Sequence, residues 1–201
     1  MLYSELQCSP AIHQAVERMG FAEMTEIQEK TIPVMMAGHD VIAKAPTGTG
    51  KTCAFGIPVV EHIQPENKYP QAVIMAPTRE LAQQIAEELT NLTYFMPEVQ
   101  VACVYGGANM EKQAKRLAEG CQIVVATPGR LMDHYKHHSI DISHVTQIVL
   151  DEADEMLNMG FYKDVRHIIE MMKARKALSM FSATISREVM DIGWLYQHNA
   201  E

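Results

Sequence analysis

The chain has 201 residues, of which 47% are hydrophobic and 21% charged, with a formal net charge of −8 at pH 7. That length and apolar content suit one large domain, or two small ones, with a real core, and the charged fraction argues against disorder over most of the length. The acidic balance excludes a whole-surface basic footprint for nucleic acid. Any nucleic acid would be held by a local patch, by backbone amides or by a basic partner segment. Four cysteines, Cys8, Cys53, Cys103 and Cys121, form no C-x-x-C pair, which gives no sign of a zinc ribbon or redox motif. With no signal segment, reduced thiols in a cytoplasmic protein are expected, and the apolar runs are strand-sized rather than long enough for a membrane span.

In chain order, Ser9-Pro10 reads as a helix cap followed by proline at the first helical position. That helix carries Ile12, Ala15, Val16 and Met19 on one face and ends at Gly20. A second helix starts near Thr25, with Pro33 inside it or near its end, before a turn at Gly38-His39-Asp40. From there the pattern alternates. Strand-like runs lie at 40–43, 72–76, 99–105, 122–126, 147–150 and 177–181; helical patterns lie at 51–63, 79–92, 110–118, 129–137, 162–172 and 187–196. Strand–helix repetition predicts an α/β fold with a mostly parallel central sheet and helices on both faces. Such sheets bind ligands beyond the carboxyl ends of their strands. The loop 64–70 is too short for a linker. One domain over 1–201 is expected, with a helical region at 1–38 and the sheet-bearing core at 39–201.

Residues 45–52 read Ala45, Pro46, Thr47, Gly48, Thr49, Gly50, Lys51 and Thr52, between a predicted strand and a predicted helix. This is the context of a phosphate-binding loop. Glycines let backbone amides turn toward phosphates, and the helix N-terminus adds its positive dipole end. Lys51 is expected to reach the β- and γ-phosphates, and Thr52 to offer a hydroxyl to Mg²⁺. Ala45 stands where the pattern has Gly, and Pro46 contributes no amide. Farther along, Asp151-Glu152-Ala153-Asp154 follows an apolar run. Asp151 suits a water-mediated Mg²⁺ contact, and Glu152 suits orienting or deprotonating an attacking water. The same string also suits an acidic turn capping the next helix. The phosphate loop in the same chain favours the nucleotide reading.

At this point the chain resembles the N-terminal RecA-like domain of the DEAD-box ATP-dependent RNA helicases. The string at 151–154 is the family's name, and six other motifs appear in the family's order. Residues 20–28, from Gly20 to Gln28, resemble the adenine-reading Q motif; Tyr3, 17 residues before Gly20, matches an isolated aromatic commonly Phe. Residues 77–82 resemble motif Ia, Gly106-Gly107 the GG motif, residues 127–130 motif Ib and Ser182-Ala183-Thr184 motif III; the phosphate loop is motif I. The resemblance implies ATP, bound with Mg²⁺, with Gln28 pairing to adenine and Tyr3 stacking on it. It implies RNA held through its backbone, independent of sequence, by Thr78, Arg79, Gly106, Gly107, Thr127, Pro128, Gly129 and Arg130. Asp154, Ser182 and Thr184 would couple nucleotide state to the RNA face. The family pattern has Pro where Met24 stands and commonly Gln where Pro46 stands.

The resemblance further implies a second RecA-like domain carrying motifs IV to VI and a catalytic arginine. No such motifs follow residue 184, so the chain is expected to be half of an active site, a monomer binding nucleotide and nearly inactive in unwinding alone. A nucleotide-switched RNA clamp and a DNA translocase are the competing readings. His134, His137 and His138 are expected to share a helix face favoured by the dipole rather than a metal site. Lys112, Lys115 and Arg116 are expected on a solvated face, and the methionines as core filler.

Overall fold

A computed structural model describes residues 1–46 and 50–201. Thr47, Gly48 and Thr49, three of the phosphate-loop assignments, lie outside the described residues. The sheet has six strands: β1 (Val41–Lys44), β2 (Ala72–Met75), β3 (Val101–Val104), β4 (Ile123–Ala126), β5 (Gln147–Asp151) and β6 (Ala177–Ser182). All pairings are parallel, in the order β1-β6-β5-β2-β4-β3. Parallel neighbours need crossovers, and helices supply them: α3 (Lys51–Glu61), α4 (Arg79–Leu92), α5 (Met110–Ala118), α6 (Pro128–Lys136), α7 (Ala153–Met156) and α8 (Tyr162–Met171). Before the first strand lie α1 (Pro10–Arg18) and α2 (Glu26–Met36), and after the last lies α9 (Arg187–Tyr196).

The sheet separates two cores, and the strands feed them alternately. Val41, Ala43, Ile74, Ile123, Val125 and Phe181 face α1–α4, while Val73, Met75, Val124, Leu150, Leu178 and Met180 face α5–α9. This is the period-2 consequence of the pleat, with both faces covered as parallel sheets require. Phe55 of α3 meets Phe181 of β6 at 5.3 Å between ring centroids, tilted by 60°. Gly56 lets α3 approach α4: a Cβ there would stand 3.1 Å from Leu89 and 3.2 Å from Leu92. Among the described residues, no helix is long and apolar enough to cross a membrane.

Two expectations change. The strand read over 99–105 shortens to Val101–Val104, because the Val99 N–H closes a turn onto the Met96 carbonyl. The acidic string ends β5 at Asp151 and starts a helix that the sequence pattern did not mark. It opens the short α7, followed by a π-helical stretch, Leu157–Phe161, broken at Gly160 (φ 89°) before α8. The histidines also part company. His134 is fully buried while His137 and His138 are exposed, and burial pushes the His134 pKa down. A lowered pKa disfavours the charged imidazolium, so the dipole account fails for that residue.

Buried Asp40 ties the chain's last residues to the first strand. It accepts from the Leu178 N–H at 2.9 Å and from the His198 N–H at 2.9 Å. The Glu201 N–H bonds the Asp40 carbonyl at 3.2 Å, and the Ile42 N–H bonds the Glu201 carbonyl at 2.7 Å.

Gly56→Val is expected to destabilise the fold by about 1–3 kcal/mol, the usual cost of overpacking a close contact. Chemical denaturation comparing the variant with the wild type measures it; an unchanged midpoint would contradict the close packing of α3 on α4.

Candidate nucleotide and RNA sites on one rim

Because every strand runs the same way, every strand's carboxyl end opens on one rim. The strand order then sorts the motifs. Ala45, Asp151 and Ser182 lie at the ends of β1, β5 and β6, three adjacent strands. Thr78, Gly106, Gly107 and Thr127 follow β2, β3 and β4, the other three. The nucleotide assignments therefore cluster on one half of the rim and the RNA assignments on the other.

On the first half, Gly50 adopts the left-handed conformation (φ 74°, ψ 25°) that turns the chain into α3, whose first residue is Lys51. Lys51 is buried, with its Nζ 3.0 Å from Asp151 Oδ1 and 3.6 Å from Glu152 Oε1. The fully buried Asp151 also accepts from the Glu152 N–H at 2.9 Å. Burial pushes the Asp151 pKa up, against the pull of Lys51. Its other oxygen, Oδ2, has no hydrogen-bond partner among the described residues. A buried carboxylate oxygen without a partner fits a water of a hydrated cation, as expected for Mg²⁺. Glu152 sits at φ 48°, ψ 50°, a left-handed conformation costing a non-glycine residue about 1–2 kcal/mol. Such strain is often kept where a side chain must be aimed. Thr52 follows Lys51 in the first turn of α3.

Gln28 is a buried residue rather than a helix-surface glutamine. Thr25 and Gln28 form a reciprocal capping box at the start of α2. The Gln28 Oε1 accepts from the Thr25 N–H at 3.0 Å and from the Tyr3 hydroxyl; its Nε2 donates to the Gly50 carbonyl at 2.9 Å. The adenine-reading candidate is thus wired directly to the phosphate loop. A Cβ on Gly50 would come within 2.6 Å of that amide, so the contact requires glycine on both steric and φ grounds. Tyr3 departs from expectation. Its ring is buried at 5% exposure, and its hydroxyl is spent on Gln28, so it orients Gln28 rather than offering a face to a base. The aromatic left open is Phe21, 45% exposed and stacked on Tyr3 with 6.4 Å between centroids. Sequence reading passed over it, although it lies within the quoted Q motif.

Asp154, Ser182 and Thr184 meet as expected of a coupling group. The Thr184 hydroxyl and N–H bond Asp154 Oδ2 at 2.7 and 3.2 Å, the Asp154 N–H bonds Ser182 Oγ at 3.1 Å, and the Ser182 hydroxyl bonds the Thr184 carbonyl at 2.6 Å. Burial raises the Asp154 pKa, but the bonds from Thr184 and Ser182 outweigh it and hold the carboxyl below its ordinary value.

On the other half of the rim, Thr78 caps α4 by accepting from the Leu81 N–H at 3.2 Å. The Arg79 guanidinium lies over the Tyr105 ring, 4.9 Å from its centroid. Gly107 has φ 86°, while Gly106 and Gly129 have open space where a side chain would be. Thr127 caps α6 without using its hydroxyl, and Pro128 occupies the first turn. Arg130 donates to the Ala108 carbonyl at 3.0 Å and to Gln113 Oε1 at 3.2 Å. Arg116, read as part of a solvated face, instead bonds the Gly120 carbonyl and Gln100 Oε1, both at 3.1 Å.

The family model for the DEAD/DEAH box helicases matches residues 25–192. The chain is 47% identical over 201 residues to an ATP-dependent RNA helicase CshA of Limosilactobacillus reuteri, covering 100% of this chain and 40% of that protein. It is 42% identical over 197 residues to an ATP-dependent RNA helicase DeaD of Mycobacterium tuberculosis, covering 98% of this chain and 35% of that one. A crystal structure of a DEAD box protein from Methanococcus jannaschii superposes with a TM-score of 0.92 at 39% identity, over 100% of this chain and 55% of its own. A hypothetical ATP-dependent RNA helicase from Sulfolobus tokodaii gives 0.88 at 40% identity, over 95% and 55%. The chain spans about two fifths of the length of the curated relatives it matches. With that model matched over residues 25–192, the chain belongs to the DEAD/DEAH box helicase family.

Proposed function

We propose that the chain is the ATP-binding half of an ATP-dependent RNA helicase, acting on the phosphoanhydride of ATP to unwind or remodel RNA duplexes locally. The observation that carries this reading is the buried convergence of Lys51 on Asp151 and Glu152, 3.0 and 3.6 Å away. A lysine and two carboxylates packed together at a strand end, beside a left-handed Gly50, suit a site that exchanges internal ion pairs for phosphate and a cation. In this reading Lys51 would exchange Asp151 for phosphate oxygens, and Thr52 and Asp151 would hold Mg²⁺, Asp151 through water. Mg²⁺ when bound neutralises charge on the phosphates. Glu152 orients and deprotonates the attacking water. Gln28 reads adenine, Phe21 supplies the stacking face, and Tyr3 holds the Gln28 amide in orientation. Ala45, Pro46, Thr47, Gly48, Thr49 and Gly50 complete the phosphate cradle.

RNA is held on the other half of the rim by Thr78, Arg79, Gly106, Gly107, Thr127, Pro128, Gly129 and Arg130, through backbone contacts without sequence preference. Amides and two guanidinium groups suffice there, which accords with a chain of net charge −8. The remaining three fifths of each relative's length leaves room for the second RecA-like domain that would close the site. Chain 1–201 alone is expected to bind nucleotide as a monomer and to hydrolyse it little.

Lys51→Ala is expected to abolish ATP binding by calorimetry; unchanged affinity would overturn the assignment. Because that change also leaves Asp151 buried without its partner, thermal unfolding should be followed alongside. Glu152→Gln in the full-length protein is expected to spare ATP binding and to lower RNA-stimulated turnover by about 10²–10⁴-fold, the usual worth of a positioned base. Asp154→Asn tests the coupling group through pH. A carboxyl whose pKa is lower folded than unfolded stabilises the fold above its unfolded value, and that contribution is lost as pH falls through the folded value. The variant should therefore melt below the wild type at pH 7, and the gap should close in acid below the ordinary carboxylate range. A gap independent of pH would contradict the Thr184 and Ser182 bonds as its source.

A further inference from the structure

Between the two arginines assigned to RNA lies a polar network that no motif contains. Gln113, on α5, is buried at 8% exposure. Its Oε1 accepts from Arg130 at 3.2 Å and faces His134 Nε2 at 3.0 Å, while its Nε2 donates to the Tyr105 carbonyl at 3.0 Å. That arrangement determines the amide orientation: a flipped amide would set NH₂ against a guanidinium and oxygen against a carbonyl. It also assigns the His134 tautomer, with the proton on Nε2, since the facing atom is an acceptor. His134 is fully buried, and its Nδ1 has no partner among the described residues.

Tyr105 extends the network to the other arginine. Its ring lies under the Arg79 guanidinium, and its hydroxyl accepts from Gln83 Nε2 at 2.9 Å. Arg130 closes the circuit on the Ala108 carbonyl, just past Gly107. One buried glutamine and one tyrosine therefore span the loops after β2, β3 and β4.

We propose that Gln113 and Tyr105 are positioning residues that join Arg79, the Gly106–Gly107 turn and Arg130 into one phosphate-reading unit for single-stranded RNA. Neither residue is assigned a contact with RNA itself. Gln113 holds the Arg130 fork at a set angle and stops the glycine turn from drifting away from it; Tyr105 does the same for Arg79 through its π face. A long flexible guanidinium placed in advance loses less freedom on binding, so the network acts on affinity without adding a contact. The proposal rests on the reading of this half of the rim as the RNA site.

The test uses the full-length protein, a labelled single-stranded RNA and a non-hydrolysable ATP analogue. Gln113→Met, close in volume but unable to bond, is expected to weaken RNA binding about tenfold with nucleotide affinity unchanged. In an Arg130→Ala background the same change should cost less than twofold, because residues acting through a shared group are not additive. The dependence of log affinity on log salt should flatten by about 0.7, one phosphate contact on a single strand. Tyr105→Leu should behave likewise toward Arg79→Ala, and Tyr105→Phe, which keeps the ring, should bind nearly as wild type. Gln113→Glu keeps the acceptor for Arg130 but sets an oxygen against the Tyr105 carbonyl, so it should not restore wild-type affinity. Equal RNA affinity in Gln113→Met and wild type, or additive losses in both double variants, overturns the positioning role. A wild type that binds nucleotide but no RNA overturns the RNA reading itself. Should both Gln113 variants fail to fold, the Tyr105 cycle decides by the same criteria.

Discussion

Six parallel strands end on one rim, and this shared direction is the constraint on which the rest of the molecule depends. An antiparallel sheet would have scattered the strand-end loops between two ends. Here each crossover returns the chain to the strand-start end of the sheet, so that residues 100 positions apart, Lys51 and Asp151, meet at 3.0 Å. Two independent cores hold the sheet rigid from either face. The rim is therefore a stable frame carrying loops that are free to specialise.

The frame brings the proposed coupling residues close to the phosphate loop. Phosphate-loop residue Gly50 is bonded to Gln28, Lys51 to Asp151 and Glu152, and three residues past Asp151 the Asp154 carboxylate is bonded to Thr184. A change in what Lys51 holds is thus one strand end away from the Asp154–Thr184 group. The adjoining strand, β2, begins the half with Arg79 and Arg130.

Much of the architecture was legible beforehand because its causes are local. The starts of α4, α5 and α9 follow capping residues Thr78, Asn109 and Ser186, and the strands are short β-branched runs. The helical pattern over 110–118 and that over 187–196 correspond to α5 and α9 residue for residue. The phosphate loop and the acidic string were legible because their chemistry demands particular residues at particular spacings. Less legible were the features set by neighbours distant in the chain. Nothing local marks Tyr3 as buried, His134 as enclosed or Arg116 as tied to Gln100. The π-helical stretch after α7 was equally hidden.

The sequence by itself determined the fold class, the strand and helix content and the identity of the groups available for phosphate and cation chemistry, because periodicity and motif spacing are properties of adjacent residues. Only the tertiary structure decided which groups face each other. It made Tyr3 the support of Gln28 and left Phe21 open, gave Gln113 the carbonyl of Tyr105 and the guanidinium of Arg130, and sorted the motifs into two halves of one rim. Those choices follow from strand order and burial, which arise only when distant segments compete for the same core.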